Sequence, residues 1–486
     1  MHARADCGQQ GGCKRRKQNG AFRLSRALDT HRSVAKPNTI MVQSPTVFFA
    51  CIAYICALWC IGHAYQDEVP TESNRSEDSV KLWALLVAGS NGYSNYRHQA
   101  DVCHAYHVLR NHGIPDNHIV VMMYDDIAYA EENPTPGVVV NHINGSNLYP
   151  GMVKDYTGDL VTPANFLDVL QGRRPRGGGT GKVIASGPQD HIFVYFTDHG
   201  GPGVIAFPDD VLRARNLSEA IRSMHNKGLF GKMVIYVEAC ESGSMFADGM
   251  LPNNVSVYAT TAANPDESSY ACYWDPIRET YLGDVYSVKW MEDSDREDLR
   301  KETLIDQFDI VRRETSTSHV EEYGDLHIGA MMVSQFQGRK IAEPVVLPTV
   351  PLDAVDSREV PVAILARKIE AATDRHSKQA LESKLENILA NRSFVREKVR
   401  EMAHLLAYGN TEQVNNLITE KKRISDFPCY EKVVDAFSRK CFELPANPYA
   451  LGQLQVLVNA CDTFEASEIK AAISAVCRFP AMKGIV

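Results

Sequence analysis

Two turns rich in small residues carry side chains suited to nucleophilic catalysis. They are residues 197–203 (TDHGGPG) and residues 238–244 (EACESGS). The glycines after His199 leave its imidazole uncrowded and allow backbone N–H groups to face a developing oxyanion. A cysteine in a small-residue turn after a buried strand, such as Cys240, is held on a rigid base where its thiol can act as a nucleophile. The two turns together predict a thiol nucleophile beside a general acid/base.

Each turn alone has a simpler structural interpretation. A single cysteine after an apolar strand is usually a small buried residue, and a His-Gly pair is usually a turn. Both would have to be coincidences here, so the joint occurrence favours catalysis. A metal site is the other alternative, because His98, His104 and His107 lie close together. No matching cysteine, histidine or carboxylate completes a ligand set, so we predict no metal and no cofactor.

The elements that must position these turns are strands of a sheet. Apolar runs predict strands at residues 81–88, 118–124, 191–196 and 233–237, and the two turns follow the third and fourth of them. An amphipathic helix is predicted at residues 99–112, before Gly113. Short buried strands separated by helices are typical of a mostly parallel, doubly wound α/β sheet. Active and binding sites in such sheets lie just beyond the carboxyl ends of the strands.

The chain changes character after residue 338. Four prolines indicate an exposed linker from residue 339 to about 365: Pro344, Pro348, Pro351 and Pro361. Helical periodicity then predicts helices at 363–372, 378–390, 395–408 and 411–422. Four clustered cysteines accompany them, and their spacing alone leaves three pairings open: Cys429, Cys441, Cys461 and Cys477. We therefore predict a small helical domain stapled by disulfides.

The charge is unevenly distributed along the 486 residues. The formal net charge is -9, made up of +7 for residues 1–66, -17 for residues 67–350 and +1 for residues 351–486. An acidic central region is a poor nucleic-acid binder, since that function needs a basic face. It suits an acidic compartment better, because protonation relieves repulsion between crowded carboxylates.

The N-terminal region has the pattern of a secretory signal. Residues 46–61 form an apolar run, shorter than the roughly 20 residues of a membrane span. Gly62-His63-Ala64 follows as a small-x-small cleavage pattern. We expect cleavage after Ala64, with an uncleaved anchor as the alternative and Met41 as a second candidate start. No later apolar run is long enough to cross a bilayer. Five sequons predict glycosylation at Asn74, Asn144, Asn216, Asn254 and Asn391.

Longer motifs resemble one known family. They are SNGYSNYRHQADVCHAY (90–106), MMYDDIAYAEENPTPG (122–137), KDYTGDLVTP (154–163), FTDHGGPG (196–203), EACESGSM (238–245), YATTAANPDESSYAC (258–272) and YLGDVYSVKWMEDSD (281–295). In this order, within residues 80–486, they resemble the legumain or asparaginyl endopeptidase family of caspase-like cysteine peptidases. The resemblance implies a caspase-like, mostly parallel sheet flanked by helices. It also implies an endopeptidase that cuts after asparagine through a thioester acyl-enzyme.

The resemblance assigns roles to individual residues. His199 would be the general acid/base, Cys240 the nucleophile and Asn95 the residue that orients the histidine. The backbone N–H groups of Gly200 and Cys240 would form the oxyanion hole. Asp198 matches a family position reported to form a succinimide, which bears on ligation.

The resemblance also implies a pocket for the substrate residue before the cut, the S1 pocket. It would be built by Arg97, His98, Glu238, Ser268, Ser269 and Asp284. Arg97 can donate to the side-chain carbonyl of a substrate asparagine, and Glu238 and Asp284 can accept from its amide. A substrate aspartate would have to be protonated to bind in this pocket. Without the family match, an internal salt-bridge network is the alternative interpretation of Arg97, Glu238 and Asp284.

The C-terminal helices resemble the family's inhibitory prodomain, which caps the active site and leaves on acidification. The resemblance implies the disulfides Cys429–Cys461 and Cys441–Cys477. The predicted divisions are 1–64 for the N-terminal extension and signal, 65–340 for the peptidase, 341–374 for the activation peptide and 375–486 for the prodomain. The activation asparagine of vertebrate members has no counterpart after Arg367-Lys368. We expect self-cleavage after Asp374 under acid conditions, or after Asn387.

Other functions stay open beside hydrolysis. Transpeptidation through the same thioester is the close alternative. A non-catalytic binding relative would have a damaged His–Cys pair, and a GPI transamidase subunit would carry a membrane anchor. A caspase-like enzyme cutting after aspartate at neutral pH is disfavoured by Glu238 and Asp284.

The expected partners are protein and peptide substrates, the chain's own prodomain and cystatin-type inhibitors. We expect no nucleic acid, and no membrane after signal cleavage. The expected location is the secretory pathway, in a lysosome-like or endosome-like acidic compartment or outside the cell, with a gut lumen or a vacuole as further options.

Overall fold

The computed structural model describes residues 79–485. The predicted signal peptide, the cleavage after Ala64 and the sequon at Asn74 lie outside these residues. The strands are β1 (Leu82–Ala88), β2 (Ile119–Met122), β3 (His191–Thr197), β4 (Gly200–Gly201), β5 (Val204–Ala206), β6 (Val211–Arg213), β7 (Lys232–Glu238), β8 (Val257–Thr261), β9 (Tyr270–Asp275), β10 (Thr280–Asp284), β11 (Glu321–Gly324) and β12 (Val355–Asp356).

The helices form two groups along the chain: the first alternates with the strands, and the second follows the last strand. The first group is α1 (Tyr96–Asn111), α2 (Pro163–Leu170), α3 (Ala214–Asn226), α4 (Val285–Arg296), α5 (Leu304–Glu314) and α6 (Ser334–Gln337). The second group is α7 (Val360–Ala371), α8 (Arg375–Leu406), α9 (Thr411–Thr419), α10 (Phe427–Lys440), α11 (Pro448–Leu451), α12 (Gln455–Cys461) and α13 (Ala466–Val476). None of the helices within residues 79–485 is both long and apolar enough to span a membrane.

The largest sheet has six strands in the order β11-β8-β7-β3-β1-β2. All neighbouring pairs are parallel except β11 with β8, which is antiparallel at one edge. Alternate residues of β1 enter two apolar clusters, Leu82 and Leu86 on one face and Trp83 and Leu85 on the other. Because both faces are buried, the strands read as continuous apolar runs. The predicted mostly parallel α/β sheet flanked by helices is confirmed.

Two smaller sheets were not predicted from the sequence. One is β4-β5-β6, directly after β3, and the other is β10-β9-β12. Their strands are two to six residues long. Strands this short carry little periodic signal, and only tertiary pairing stabilises them.

The C-terminal helical region is confirmed, with two corrections. The predicted helices 378–390 and 395–408 are one continuous helix, α8, because no glycine or proline separates them. The exposed linker predicted from residue 339 to about 365 is wrong beyond residue 354. There β12 pairs with β9 and α7 buries Val360 and Ile364.

Candidate active site

The register of β3 and β7 brings the two predicted turns together. Thr197 lies opposite Glu238, and the backbone N–H of Asp198 donates to the Glu238 carbonyl at 3.0 Å. His199 and Cys240 each lie two residues beyond this pair. A Cβ on Gly200 would lie 2.2 Å from the carbonyl oxygen of Cys240. The two turns therefore touch backbone to backbone, as the sequence predicts for neighbouring parallel strands.

Asn95 fixes the proton on the imidazole of His199. Its side-chain nitrogen donates to the Asn91 carbonyl at 3.0 Å, so its Oδ1 faces His199 Nε2 at 2.9 Å and accepts from it. Nε2 therefore carries the proton, and the buried Nδ1 has no hydrogen-bond partner among the described residues. Burial, followed by the charges of Arg97 and Arg358, holds the pKa of His199 well below its ordinary value. The lowered pKa favours a neutral histidine, whose Nδ1 is available as a base.

The thiol of Cys240 is buried, with 1% of the residue exposed. Burial raises its pKa to about 11, partly opposed by the nearby Arg358 guanidinium. The backbone N–H of Ser269 donates to its sulfur at 3.4 Å, and the Ser269 hydroxyl lies 3.8 Å from the same atom. The raised pKa of Cys240 and the lowered pKa of His199 favour a neutral thiol and a neutral histidine.

Four predicted pocket residues meet beside this pair. Arg97 Nε donates to Asp284 Oδ1 at 2.8 Å, and each side chain is 1% exposed. His98 lies between two carboxylates, 3.4 Å from Asp198 Oδ1 and 3.5 Å from Asp284 Oδ2. Glu238 Oε2 accepts from the backbone and hydroxyl of Ser287 at 3.1 and 3.0 Å, whereas its Oε1 has no partner among the described residues. The arrangement offers one cation and several carboxyl oxygens to a polar side chain.

Burial raises the pKa of the carboxyl groups around this pocket. It is the main cause of the shift for Asp198, Glu238 and Asp284, and the Arg97 charge opposes it at Asp198 and Asp284. His98, Asp198 and His199 also offer atoms within 4.8 Å of one another, a grouping that could hold a metal ion. The Ser90 hydroxyl already engages His98 Nδ1 at 2.6 Å, and we assign no metal there. His98, His104 and His107, the possible metal ligands in the sequence, have different hydrogen-bond partners. His104 bonds Asn141 and Asp295, whereas His107 bonds the Leu148 carbonyl.

A segment of the predicted linker lies across the site. Ser357 N–H donates to the Ser269 carbonyl at 2.9 Å, and Arg97 donates to the Ser357 hydroxyl at 2.8 Å. Arg358 pairs with Glu241, next to the nucleophile, and donates to the Gly200 carbonyl at 2.8 Å and the Ser268 hydroxyl at 3.1 Å. Residues 355–357 thus pair like a strand with β9 and with Ser269, and they cover the candidate site.

Sequence reasoning missed two groups at this site. Arg358 lies among prolines and acids, where a charged residue gives no local signal of burial. Asp101 is fully buried, and the predicted pocket does not include it. It follows Arg97 by four residues in α1, and this spacing places both on one face of the helix. An acidic residue on a buried helix face was the signal that could have found it.

The C-terminal helices pack onto the active-site turns. Tyr430 of α10 donates its hydroxyl to the Pro202 carbonyl at 2.6 Å. A Cβ on Gly201 would lie 2.9 Å from the Leu451 carbonyl oxygen, so this glycine permits close contact. The helical region contains the disulfides Cys429–Cys461 and Cys441–Cys477, the same pairs that the resemblance implies.

The predicted glycosylation sites within residues 79–485 differ in exposure. Asn144, Asn216 and Asn254 are exposed, whereas Asn391 is half-buried within α8. Glycosylation at these sites stays a prediction.

Comparison with known proteins places the chain in one family. Residues 82–339 match the peptidase C13 family, and residues 383–477 match the legumain prodomain. Legumain from Bos taurus is 49% identical over 417 residues, covering 84% of this chain and 95% of that protein. Legumain from Homo sapiens is 50% identical over 409 residues, covering 82% and 94%. Hemoglobinase from Schistosoma japonicum is 43% identical over 413 residues, covering 83% and 95%. These matches extend over both the α/β sheet and the C-terminal helices, and the chain therefore belongs to the peptidase C13 or legumain family of cysteine endopeptidases.

Proposed function

We propose that this protein is the zymogen of an endopeptidase that cuts after asparagine, and after protonated aspartate at acid pH. Cys240 is the nucleophile, and His199 accepts its proton and returns it to the leaving amine. Asn95 holds the histidine in the required tautomer. The N–H groups of Gly200 and Cys240 stabilise the oxyanion of the tetrahedral intermediate.

The observation that carries the specificity is the buried Arg97–Asp284 pair beside Glu238. A substrate asparagine presents one carbonyl acceptor and two amide donors. Arg97 supplies a donor and the two carboxyl groups supply acceptors. A pocket of paired hydrogen bonds rejects a residue that leaves its buried polar groups unpaired. An ionised aspartate would also meet the carboxyl groups unfavourably, which is why its cleavage requires acid. His98, Ser268 and Ser269 complete the proposed pocket.

The inhibition that we propose follows from residues 355–358 and the C-terminal helices. Ser357 and Arg358 occupy polar groups of the proposed pocket and the nucleophile turn, so substrate cannot enter until they leave. We divide the chain into a peptidase (65–340), an activation peptide (341–374) and a prodomain (375–486). The coil at residues 341–354 and the start of α8 at Arg375 support the last two divisions.

The acidic central region and the predicted signal support a secretory route to an acidic compartment. A relative in Arabidopsis thaliana, 40% identical over 440 residues, is named vacuolar-processing enzyme beta-isozyme. Protein substrates and cystatin-type inhibitors are the partners that we propose.

The test is acid activation of the purified zymogen, followed by cleavage of peptides with asparagine, aspartate or alanine before the cut. We expect cleavage after asparagine that Cys240→Ala abolishes. Cys103→Ala is the matched control, since this free thiol is also buried but lies on α1 away from the turns. Activity that survives Cys240→Ala, or absence of a preference for asparagine, would refute the proposal. Added amine nucleophiles would show whether transpeptidation competes with hydrolysis.

A further inference from the structure

Asp101 is a buried carboxyl group that the mechanism above does not use. It lies in α1 with no exposed surface. It lies against the residue before Asp284, since a Cβ on Gly283 would be 3.2 Å from Asp101 Oδ1, and its carboxyl group interacts with that of Asp284, the partner of Arg97. Neither Asp101 Oδ2 nor Asp284 Oδ2 makes a hydrogen bond among the described residues, although His98 Nε2 lies 3.5 Å from Asp284 Oδ2. Two adjacent carboxylates that each lack a donor would repel one another strongly.

The neighbours of Asp101 fix which of its oxygens is an acceptor. Asn141 Nδ2 donates to the Leu282 carbonyl at 2.8 Å and to Asp101 Oδ1 at 2.7 Å. The Leu282 carbonyl can only accept, so the Asn141 amide has one orientation. Its Oδ1 then faces His104 Nδ1 at 2.8 Å and accepts from it, consistent with the same orientation. Asp101 Oδ1 is therefore an acceptor, and we place a proton of Asp101 on Oδ2, the oxygen that makes no hydrogen bond among the described residues.

The charges around Asp284 decide which carboxyl group holds that proton. Asp284 Oδ1 accepts from Arg97 at 2.8 Å, so its negative charge is compensated. The strongest charge acting on Asp101 is that of another carboxyl group, Asp284, and within residues 79–485 no cation forms an ion pair with Asp101. Burial, followed by the neighbouring Asp284 charge, raises the pKa of Asp101 well above its ordinary value. A proton on Asp101 that is donated to Asp284 would give a hydrogen bond to both carboxyl groups.

We propose that Asp101 is a positioning residue for substrate specificity: as a neutral acid it donates a hydrogen bond to Asp284 and keeps Asp284 an ionised acceptor for the amide of a substrate asparagine. The proposal rests on the proposed function, since it takes Asp284 as part of the pocket. A protonated Asp284 would be a donor facing the amide donors of the substrate and would lose its pairing with Arg97. Asp101 acts through Asp284 and does not itself touch the substrate.

The ionisable groups that face Asp101 come from four elements. They are Asp284 from β10, Glu238 from β7, Tyr195 from β3 and Cys272 from β9. Burial raises the pKa of each of these groups. A carboxyl, phenol or thiol group carries no positive charge in either protonation state, so these neighbours supply no cation that would ionise Asp101.

The test compares two substitutions in the acid-activated enzyme. Asp101→Asn preserves both bonds, because the amide oxygen can accept from Asn141 and the amide nitrogen can donate to Asp284. We expect it to keep kcat/KM for an asparagine substrate within about threefold of wild type. Asp101→Ala removes the donor, and we expect kcat/KM to fall roughly tenfold or more, mainly through KM. Asp293→Asn is the control, since Asp293 is 1% exposed and also interacts with another carboxyl group, Glu302.

The pH profile separates this role from simple packing. Wild type loses the shared proton as pH rises, whereas Asp101→Asn has none to lose. The ratio of kcat/KM for Asp101→Asn to that of wild type should therefore rise with pH. Equal losses in Asp101→Asn and Asp101→Ala, or a ratio that is flat across pH, would overturn the proposal. If Asp101→Ala fails to fold, Asp101→Asn and its profile still decide. Failure of the proposed function itself would be visible separately, as a wild-type enzyme with no preference for asparagine.

Discussion

Gly200 shows how a missing side chain positions the candidate catalytic pair. Its Cα carries no Cβ, and a Cβ there would lie 2.2 Å from the Cys240 carbonyl oxygen and 3.0 Å from the Ala239 side chain. Backbone atoms cannot move away as a flexible side chain can. The same backbone contact that places His199 near Cys240 therefore requires glycine at position 200.

Gly200→Ala should impair catalysis more than it impairs folding. The nucleophile turn must shift by about an ångström, and misplacement of that size can cost roughly a hundredfold in rate. We expect kcat to fall by about that factor in the activated enzyme, with the prodomain still bound in the zymogen. Gly187→Ala is the control, because its nearest neighbour would be Asp190 Oδ2 at 3.8 Å. Steady-state kinetics and thermal unfolding measure the two effects. Normal kcat in Gly200→Ala would contradict the close contact.

At the level of elements, the contact between the peptidase and α10 uses ion pairs. Arg213 at the end of β6 pairs with Asp435, and Arg215 of α3 pairs with Glu431 at 3.0 Å. Both acidic partners lie on α10. Such partly exposed pairs contribute about 0.2–1 kcal/mol each. We therefore expect the two arginines to contribute to the attachment of the helical domain.

Replacing both arginines should weaken the attachment of the helical domain. In Arg213→Ala/Arg215→Ala, we expect half-maximal release of the prodomain at a pH higher by a fraction of a unit, since about 1 kcal/mol of attachment is lost. Size-exclusion chromatography over a pH series measures the release. Arg222→Ala is the matched control, because Arg222 of α3 donates within the peptidase to the Gly249 carbonyl and the Ser218 hydroxyl. An unchanged release pH in the double variant would show that the apolar contacts alone hold the domain.

On the scale of the whole molecule, the self-maturation that we propose requires the chain to present one of its own peptide bonds for cleavage. Asp374 is the N-cap of α8 with extended backbone dihedrals of -101° and 144°. Asn387 lies within α8, where its peptide bond is helical. A bond at the start of a helix is easier to present in extended form, so the geometry favours Asp374 over Asn387. Backbone and side-chain hydrogen bonds to Ser377 lower the pKa of Asp374, so its protonation requires a lower pH than usual.

We therefore expect acid maturation to end at Asp374 and to depend on its protonation. Asp374→Asn keeps a good N-cap but needs no proton, so self-cleavage should proceed at a higher pH than in wild type. Asp374→Ala should delay it at every pH. Asn387→Ala should change nothing. Intact-mass measurement of the products over time checks each case, and a dominant product ending at Asn387 would refute the assignment.

The sequence determined the parts of this protein whose signals are local. Buried parallel strands produce continuous apolar runs, so β1, β2, β3 and β7 were predicted within a few residues. The small-residue turns after β3 and β7 identified His199 and Cys240, since parallel strands end at one edge. The disulfide pairs came from the family resemblance, because spacing alone left three choices.

Tertiary structure decided what depends on contacts between distant segments. The burial of Asp101 against Asp284, across 183 positions of the chain, follows from packing of α1 on β10. Arg358 becomes an active-site residue only because β12 pairs with β9. Hydrophobic periodicity reports which face of an element is buried, whereas it carries no information about which distant carboxyl or guanidinium group is buried against it. The electrostatics of the site was therefore decided by the tertiary structure.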